Sequence, residues 1–227
     1  MATRFYFPAE GSAAAAVSPA FDAGWEQTGQ ANRLQLLEKT RLSTLSTIAT
    51  SATKTVPITT TQDILAEQYV SEPIPTQNII GTVSLVVTGI ESAATANVTL
   101  AVVVKVVSQD GGTARGTLFS VFGTDAELAN ATTLTRIVNA QAVTALTTLP
   151  GDRLVVEVGG HAAAPTAATT YSFNFGDNAA TDFALTSGLI TNINPWIEFS
   201  QNIWDTPWVN EQFMKVPDGM STSEKIR

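Results

Sequence analysis

Apolar and polar residues alternate along much of this chain, most regularly between Ile79 and Ser108. Val83, Leu85 and Val87 fall on one parity and Thr82, Ser84 and Thr88 on the other, which is the period-two pattern of a half-buried strand. In the next run Val98, Leu100, Val102, Val104 and Val106 share one face, while Asn97, Thr99 and Lys105 share the other with Ala101, Val103 and Val107. The stretch Glu91 to Ala96 separates the runs, so the pattern predicts two long strands returning antiparallel through a short polar connection. Burying Leu100, Val102 and Val104 is worth about 1.5 to 3 kcal/mol each, but a hairpin alone leaves that stripe in water, so a second sheet has to cover it.

The remaining elements follow the same logic. Leu34, Leu37, Leu42, Leu45 and Ile48 suit a helix, but Leu34 and Leu36 also suit a strand; the Thr-rich stretch after them, poor helix material, tips Leu34 to Leu45 toward strand. Gln62 to Ile74 predicts another strand, ended by Pro73 and Pro75. Asp110-Gly111-Gly112 is a turn signal, and Gly116 to Phe122 resumes as a strand. Thr124 to Glu127 has the form of a capping box and predicts a short helical turn through Asn130, followed by a strand from Thr133 to Ala140. Leu149-Pro150-Gly151-Asp152 fits a type II turn, with Pro fixing φ at the first central position and Gly supplying positive φ at the second. It leads into Arg153 to Val158, and further one-sided stripes occur at Tyr171, Phe173 and Phe175 and at Ile197 and Phe199. Nine or ten strands separated by turn signals predict an all-β fold, a two-sheet β-sandwich of jelly-roll type.

The ends lack this period. Residues 1–32 carry Pro8, Pro19, Gly11, Gly24 and Gly29 and predict an extended N-terminal arm, with residues 33–200 as the sandwich domain and 201–227 as an extended C-terminal arm. Phe5, Tyr6, Phe7, Phe21 and Trp25 in the first arm, and Trp204, Trp208 and Phe213 in the last, are the candidate partner-binding residues. The same aromatics near the N-terminus equally suit capping one end of this chain's own core.

Composition narrows the function classes. The chain has 227 residues, with 12 basic against 20 acidic side chains and a net charge of −8, and no basic cluster to neutralise phosphates; nucleic acid and anionic membrane are not expected partners. Only 14% of residues are charged, so hydroxyls, amides and small side chains make up much of the polar surface, a composition suited to close contact with other chains. With no cysteine, disulfides, thiolate metal sites and a cysteine nucleophile are excluded. No apolar run is long enough to span a membrane as a helix, and Ala13 to Val17 is too short for the apolar segment of a signal peptide.

Chemistry has few candidates. His161 is the one histidine and follows a predicted strand in a Gly- and Ala-rich stretch, which suits a solvated loop better than a metal ligand or a triad member. Asp177 and Asp182 with Asn174 and Asn178 could supply oxygen ligands for calcium, but they read equally as turn residues. Glu157 and Glu198 fall on polar parities of strands, without any signal that they face each other across a cleft. No phosphate-binding or dinucleotide glycine motif is present, so neither an enzymatic activity nor a cofactor is expected.

Four stretches taken in order carry a resemblance: Arg4-Phe5-Tyr6-Phe7-Pro8, Ser18-Pro19-Ala20-Phe21-Asp22-Ala23-Gly24-Trp25-Glu26, Gly151 to Gly159, and Asn194-Pro195-Trp196-Ile197-Glu198-Phe199-Ser200. Together the chain resembles virion structural proteins of tailed bacteriophages, from the N-terminal arm to about Ser200. The resemblance implies a particle component without catalytic residues. It implies foremost a capsid decoration (cement) protein on the capsid exterior, trimeric, with the major capsid protein as partner. A carbohydrate- or receptor-binding module of the tail, suggested by Trp196, Trp204 and Trp208, and a connector or tail subunit are the alternatives.

Overall fold

The computed structural model describes residues 2–8, 14–26, 34–37, 49–50, 54–56, 60–124, 126–176, 181–190 and 194–203. Fourteen strands are found among them and no helix. In chain order they are β1 (Thr3–Tyr6), β2 (Leu34–Leu37), β3 (Ala49–Thr50), β4 (Lys54–Val56), β5 (Gln62–Ser71), β6 (Asn78–Ile79) and β7 (Thr82–Glu91). Then come β8 (Val98–Val107), β9 (Ala114–Thr124), β10 (Leu134–Ala142), β11 (Leu146–Thr147), β12 (Arg153–Ala162), β13 (Thr169–Phe175) and β14 (Trp196–Phe199).

Two sheets pack face to face. One runs β2-β5-β12-β8-β9; the other runs β1-β14-β7-β13-β3, with β10 also on β7 and β4 also on β13. Because Leu85 and Val86 pair with both β10 and β14, those two strands flank β7 on opposite edges. A small ribbon of β6 and β11 lies beside them. If β1, β5, β7, β8, β9, β10, β12 and the β13/β14 pair are taken as eight principal strands, the sheets read 2-7-4-5 and 1-8-3-6. Apart from the β8–β9 hairpin, each step between successive principal strands crosses from one sheet to the other, as two Greek keys require, and the all-β sandwich is a jelly roll.

The predicted Ile79–Ser108 hairpin forms as two strands but not as a hairpin. β7 and β8 belong to different sheets, and residues 92–97 carry the chain from one to the other. The reason is the need that the sequence exposed: Val83, Leu85 and Val87 on β7 and Val98, Leu100, Val102, Val104 and Val106 on β8 are all fully buried in one core. Each stripe covers the other across the sandwich, which a flat ribbon cannot do.

Several turns follow the sequence closely. The Leu149–Asp152 turn closes with the Asp152 N–H donating to the Leu149 carbonyl at 3.1 Å, and Gly151 has φ of 86°, the value that a type II turn demands there. The Asp110-Gly111-Gly112 turn joins β8 to β9; Ser108 donates to the Asp110 carboxylate, which also accepts from the Gly112 N–H. The helical turn expected through Asn130 is absent among the described residues, and Asp125 lies outside them. Residues 126–130 instead spend their backbone groups on the sandwich: the Leu128 N–H reaches the Val98 carbonyl at 2.7 Å, and the Ala129 carbonyl accepts from Glu91 N–H. Of the strand expected from Leu34 to Leu45, Leu34–Leu37 is present and pairs in parallel with β5; residues 38–45 lie outside the described set.

Part of the N-terminal arm joins the sandwich itself. β1 adds to the sheet edge by pairing with β14, and Phe5 and Phe7 are almost wholly buried in the main core. Phe7, Tyr69 and Phe175 stack mutually at 4.8 to 5.8 Å between ring centroids, and Phe5 meets Phe199 edge-on at 6.1 Å. Phe5 and Phe7, at the start of that arm, are thus part of the sandwich core.

Candidate functional site

Strand β8 is apolar on both faces, and its outer face needs a cover of its own. Residues 14–26 supply it as a strap laid across the five-stranded sheet. Trp25 packs with Leu65, Ala101 and Val103, flanked by Phe21 and Phe122; Val17 and Ala15 pack on Val70, Val107 and Val155. The backbone joins the sheet at one point, where Glu26 bridges to Ile64. Close approach at that point depends on Gly159: a Cβ there would stand 2.3 Å from the Ile64 carbonyl oxygen and 2.7 Å from the Trp25 ring.

Beneath the strap lies a buried charge. Glu157 is fully buried, and its carboxylate accepts from Lys105 Nζ at 2.6 Å, Trp25 Nε1 at 2.7 Å, Gln68 Nε2 at 2.9 Å and the Asp22 N–H at 3.2 Å. Lys105 also donates to the Ala20 carbonyl, and Gln68 to the Pro19 carbonyl. Register explains the gathering: Glu157 is paired with Gln68 on β5 and lies beside Val103 on β8, one step from Lys105 on the same outer face. A carboxylate taken out of water is tolerated only when its oxygens are fully engaged, and here they are. The cluster acts as a clamp holding the strap by its backbone and its indole, and its charge is spent on that task.

The other ionisable residues singled out in the sequence are engaged in similar ways. Arg4 bridges Asp182 at 2.8 Å and Glu198 at 2.8 Å and lies 3.9 Å from the centroid of the Trp196 ring; Tyr6 also donates to Asp182. Asp182 is thus a partner of Arg4 and Tyr6, while Asp177 and Asn178 lie outside the described residues. Trp196 is buried, with its indole N–H on the Phe183 carbonyl, so its ring has no face for a sugar. Glu157 and Glu198 belong to different sheets and serve separate networks.

His161 lies on β12 and not in a loop. Its Nδ1 stands 2.6 Å from Asp63 Oδ1, and the ring is part-buried. Asp63, His161 and Thr99 form a row in register across β5, β12 and β8, but the Thr99 hydroxyl donates to the His161 carbonyl and not to the ring. No group of three or more His, Asp or Glu side chains able to hold a metal occurs among the described residues.

Of the candidate partner-binding residues, Phe5, Phe7 and Trp25 are inside this chain's own fold, Tyr6 is engaged with Asp182, and Phe21 is half-buried against the Trp25 cluster. Trp204, Trp208 and Phe213 lie outside the described residues. The accessible features are elsewhere. Loops 72–81, 108–113, 148–152 and 200–203 meet at one end of the sandwich: Ile74 and Asp152 exchange a backbone bond, Thr148 bonds Gln77, and Gln201 bonds both Ile80 and Asn78. Ile80 and Leu149, each about half exposed at 49%, project there. A shallow cleft of about 780 Å³ opens beside them, lined by Val17, Asp110, Arg115, Leu149 and Asp152. A second cleft of about 230 Å³ lies on the other side of Arg115, against Phe21 and Thr117. The Arg115 Nε is held by Asp152, itself buried, at 3.1 Å.

No protein-family model and no curated protein matches the sequence. Among solved structures, the chain is similar to two crystal structures of a CocE/NonD family hydrolase from Staphylococcus aureus, with TM-scores of 0.46 and 0.45 and 9% identity in each case. Each alignment covers 88% of this chain, which spans only 36% of the hydrolase. A likeness of that size carries no argument about what this chain does.

Proposed function

We propose that this chain is a non-enzymatic structural protein of a tailed-bacteriophage virion, foremost a capsid decoration protein that binds the major capsid protein on the capsid exterior and stiffens the shell. The observation that carries the reading is where the chemistry-bearing side chains go. Glu157, Lys105, Arg4, Asp182 and Asp63 are each bound to a partner within the chain, so the described polar residues serve to hold a strap and a sheet edge in place. A sandwich tied down in this way is a rigid block suited to bearing load, and the resemblance of its Arg4–Pro8, Ser18–Glu26 and Asn194–Ser200 stretches to virion proteins gives that block a setting.

Docking would use the loop end that carries Ile80, Leu149 and Arg115, since the N-terminal aromatics are committed to the core. Trimer formation is part of the proposal and fits the weakly charged Ala- and Thr-rich composition. The test is binding of purified protein to shells assembled from the major capsid protein. Saturable occupancy that raises the shell's resistance to heat is expected; no binding at micromolar concentration removes the reading. Ile80→Asp with Leu149→Asp should abolish occupancy without changing the melting temperature of the free protein.

A further inference from the structure

Arg115 stands where β9 leaves the loop end, and the strand is irregular at this residue. Val107 on β8 pairs with Ala114 and Val106 with Gly116, so Arg115 has no residue opposite it and forms a β-bulge. An extra residue on one side of an antiparallel pair bends that strand and re-aims the side chain it carries. Here the guanidinium is turned toward the start of β12, where it is engaged through one nitrogen alone: Nε donates to Asp152 Oδ1 at 3.1 Å and Oδ2 at 3.3 Å. Asp152 is almost wholly buried and also accepts from the Leu149 N–H at 2.8 Å, so the turn fixes its position. Neither Nη1 nor Nη2 of Arg115 bonds any other described residue, and 31% of the side-chain surface is exposed.

The guanidinium cannot swing away without leaving Asp152 buried and uncompensated, so its orientation is set before any partner arrives. The N–H groups left over on Nη1 and Nη2 are a planar fork whose spacing matches the two oxygens of a carboxylate. We propose that this fork is the anchor of the docking surface and takes a single carboxylate, borne by an acidic side chain with apolar neighbours on the partner protein. The assignment rests on the reading that this loop end docks, and it names the chemistry that the partner must bring there.

The surroundings select that class. The larger cleft beside Arg115 is lined by two cations, Arg115 and Arg153, and by two carboxylates, Asp110 and Asp152. Arg153 is committed to the Gln109 and Ser71 carbonyls, and Asp110 accepts from Ser108 and Gly112. A balanced lining on a chain of net charge −8 offers no field that would gather a polyanion, so recognition falls to the geometry of one fork. Leu149 and Val17 give the same cleft apolar walls. An incoming acid flanked by apolar side chains would cover them and exclude water from the ion pair, which is the setting in which an interfacial arginine contributes most.

Two blocked tripeptides, acetyl-leucyl-glutamyl-leucinamide and its glutaminyl counterpart, test the fork on the isolated full chain, with binding read from the NMR shifts of the Arg115 Nε–H and the Leu149 amide. The glutamyl peptide should bind roughly fivefold more tightly than the glutaminyl one or better, and Arg115→Gln should erase the difference. Arg115→Lys keeps a charge beside Asp152 but has no fork; it should cut the preference to about twofold or less, and it serves if the first variant fails to fold. Inorganic phosphate at equal concentration and ionic strength should not displace the glutamyl peptide. Equal affinity of the two peptides for the unaltered chain, a preference that survives in both variants, or displacement by phosphate overturns the assignment. On capsid shells, Arg115→Gln should weaken binding by about tenfold. Undiminished binding of that variant overturns the anchor while leaving the decoration reading in place, whereas that reading fails on its own if the unaltered chain does not bind shells.

Discussion

Replacing Lys105 with Met probes the clamp under the strap most sharply. Met keeps most of the stem's volume, so the packing beside Val103 and Val107 changes little, but Glu157 loses its cation at 2.6 Å while remaining fully buried. Removing one partner of a buried ion pair costs about 3 to 5 kcal/mol, because the surviving charge is left in a medium that cannot solvate it. Trp25 Nε1, Gln68 Nε2 and the Asp22 N–H still donate to Glu157, which places the loss near the lower end, at about 3 kcal/mol. For a chain of this size, that lowers the melting temperature by roughly 6 to 12 °C. Circular dichroism melts and urea titrations report the loss, and the Trp25 environment reports release of the strap. The double variant Lys105→Met with Glu157→Gln should be more stable than Lys105→Met alone, since a neutral amide oxygen still accepts from Trp25 and no charge is stranded. A single variant within about 1 kcal/mol of the parent, or a double variant no better than the single, would refute the reasoning, because both follow from the burial of an ionised Glu157.

Other consequences are open to direct measurement. Gly159→Ala should cost about 2 kcal/mol or more, since the added methyl would meet the Ile64 carbonyl oxygen of β5 at 2.3 Å and the Trp25 ring at 2.7 Å, so that β5 and the strap would both have to shift; urea midpoints check it. Arg4→Ala removes two ion pairs and the contact with the Trp196 ring, but Arg4 is about a third exposed and screened, so the loss should be only about 1 to 2 kcal/mol and smaller in high salt. Glu91 makes global stability depend on pH with a defined sign. Its carboxyl binds a proton more tightly in the folded than in the unfolded chain, so the contribution is full below about pH 4.5 and is lost as pH rises through about 7. With screening allowed for, the fall should be roughly 1 to 3 kcal/mol between pH 5 and pH 8, and Glu91→Gln should flatten it.

How far the sequence could be read differs from element to element, for physical reasons. Period-two stripes located β7, β8, β12 and β13 because each presents a run of alternating apolar residues to the core, and Pro150-Gly151 located its turn because few residues tolerate that backbone. Pairing partners were not legible: alternation says that a stripe must be covered, not by which strand, so β7 and β8 could be assigned to one ribbon when they face each other across the core. Residues 1–8 lacked a period because only four of them form an edge strand, too short to establish one, and Phe5 and Phe7 therefore passed for anchors on a neighbour. The clamp did leave a trace in the sequence. Lys105 and Glu157 each lie among valines in the middle of a long strand, and opposite charges set in two such runs are what a buried ion pair looks like before folding. The strap was legible from the same fact, since Ala101, Val103 and Val107 gave β8 a second apolar face that required a cover.

Labelling of intact virions tests the central claim most directly. A copy of the protein carrying a gold-binding tag, incorporated into phage particles and viewed by electron microscopy, should decorate the outer surface of the head in a regular array. Gold confined to the tail, or particles that assemble without any label while the tagged protein remains free, would contradict a role as a component of the capsid exterior.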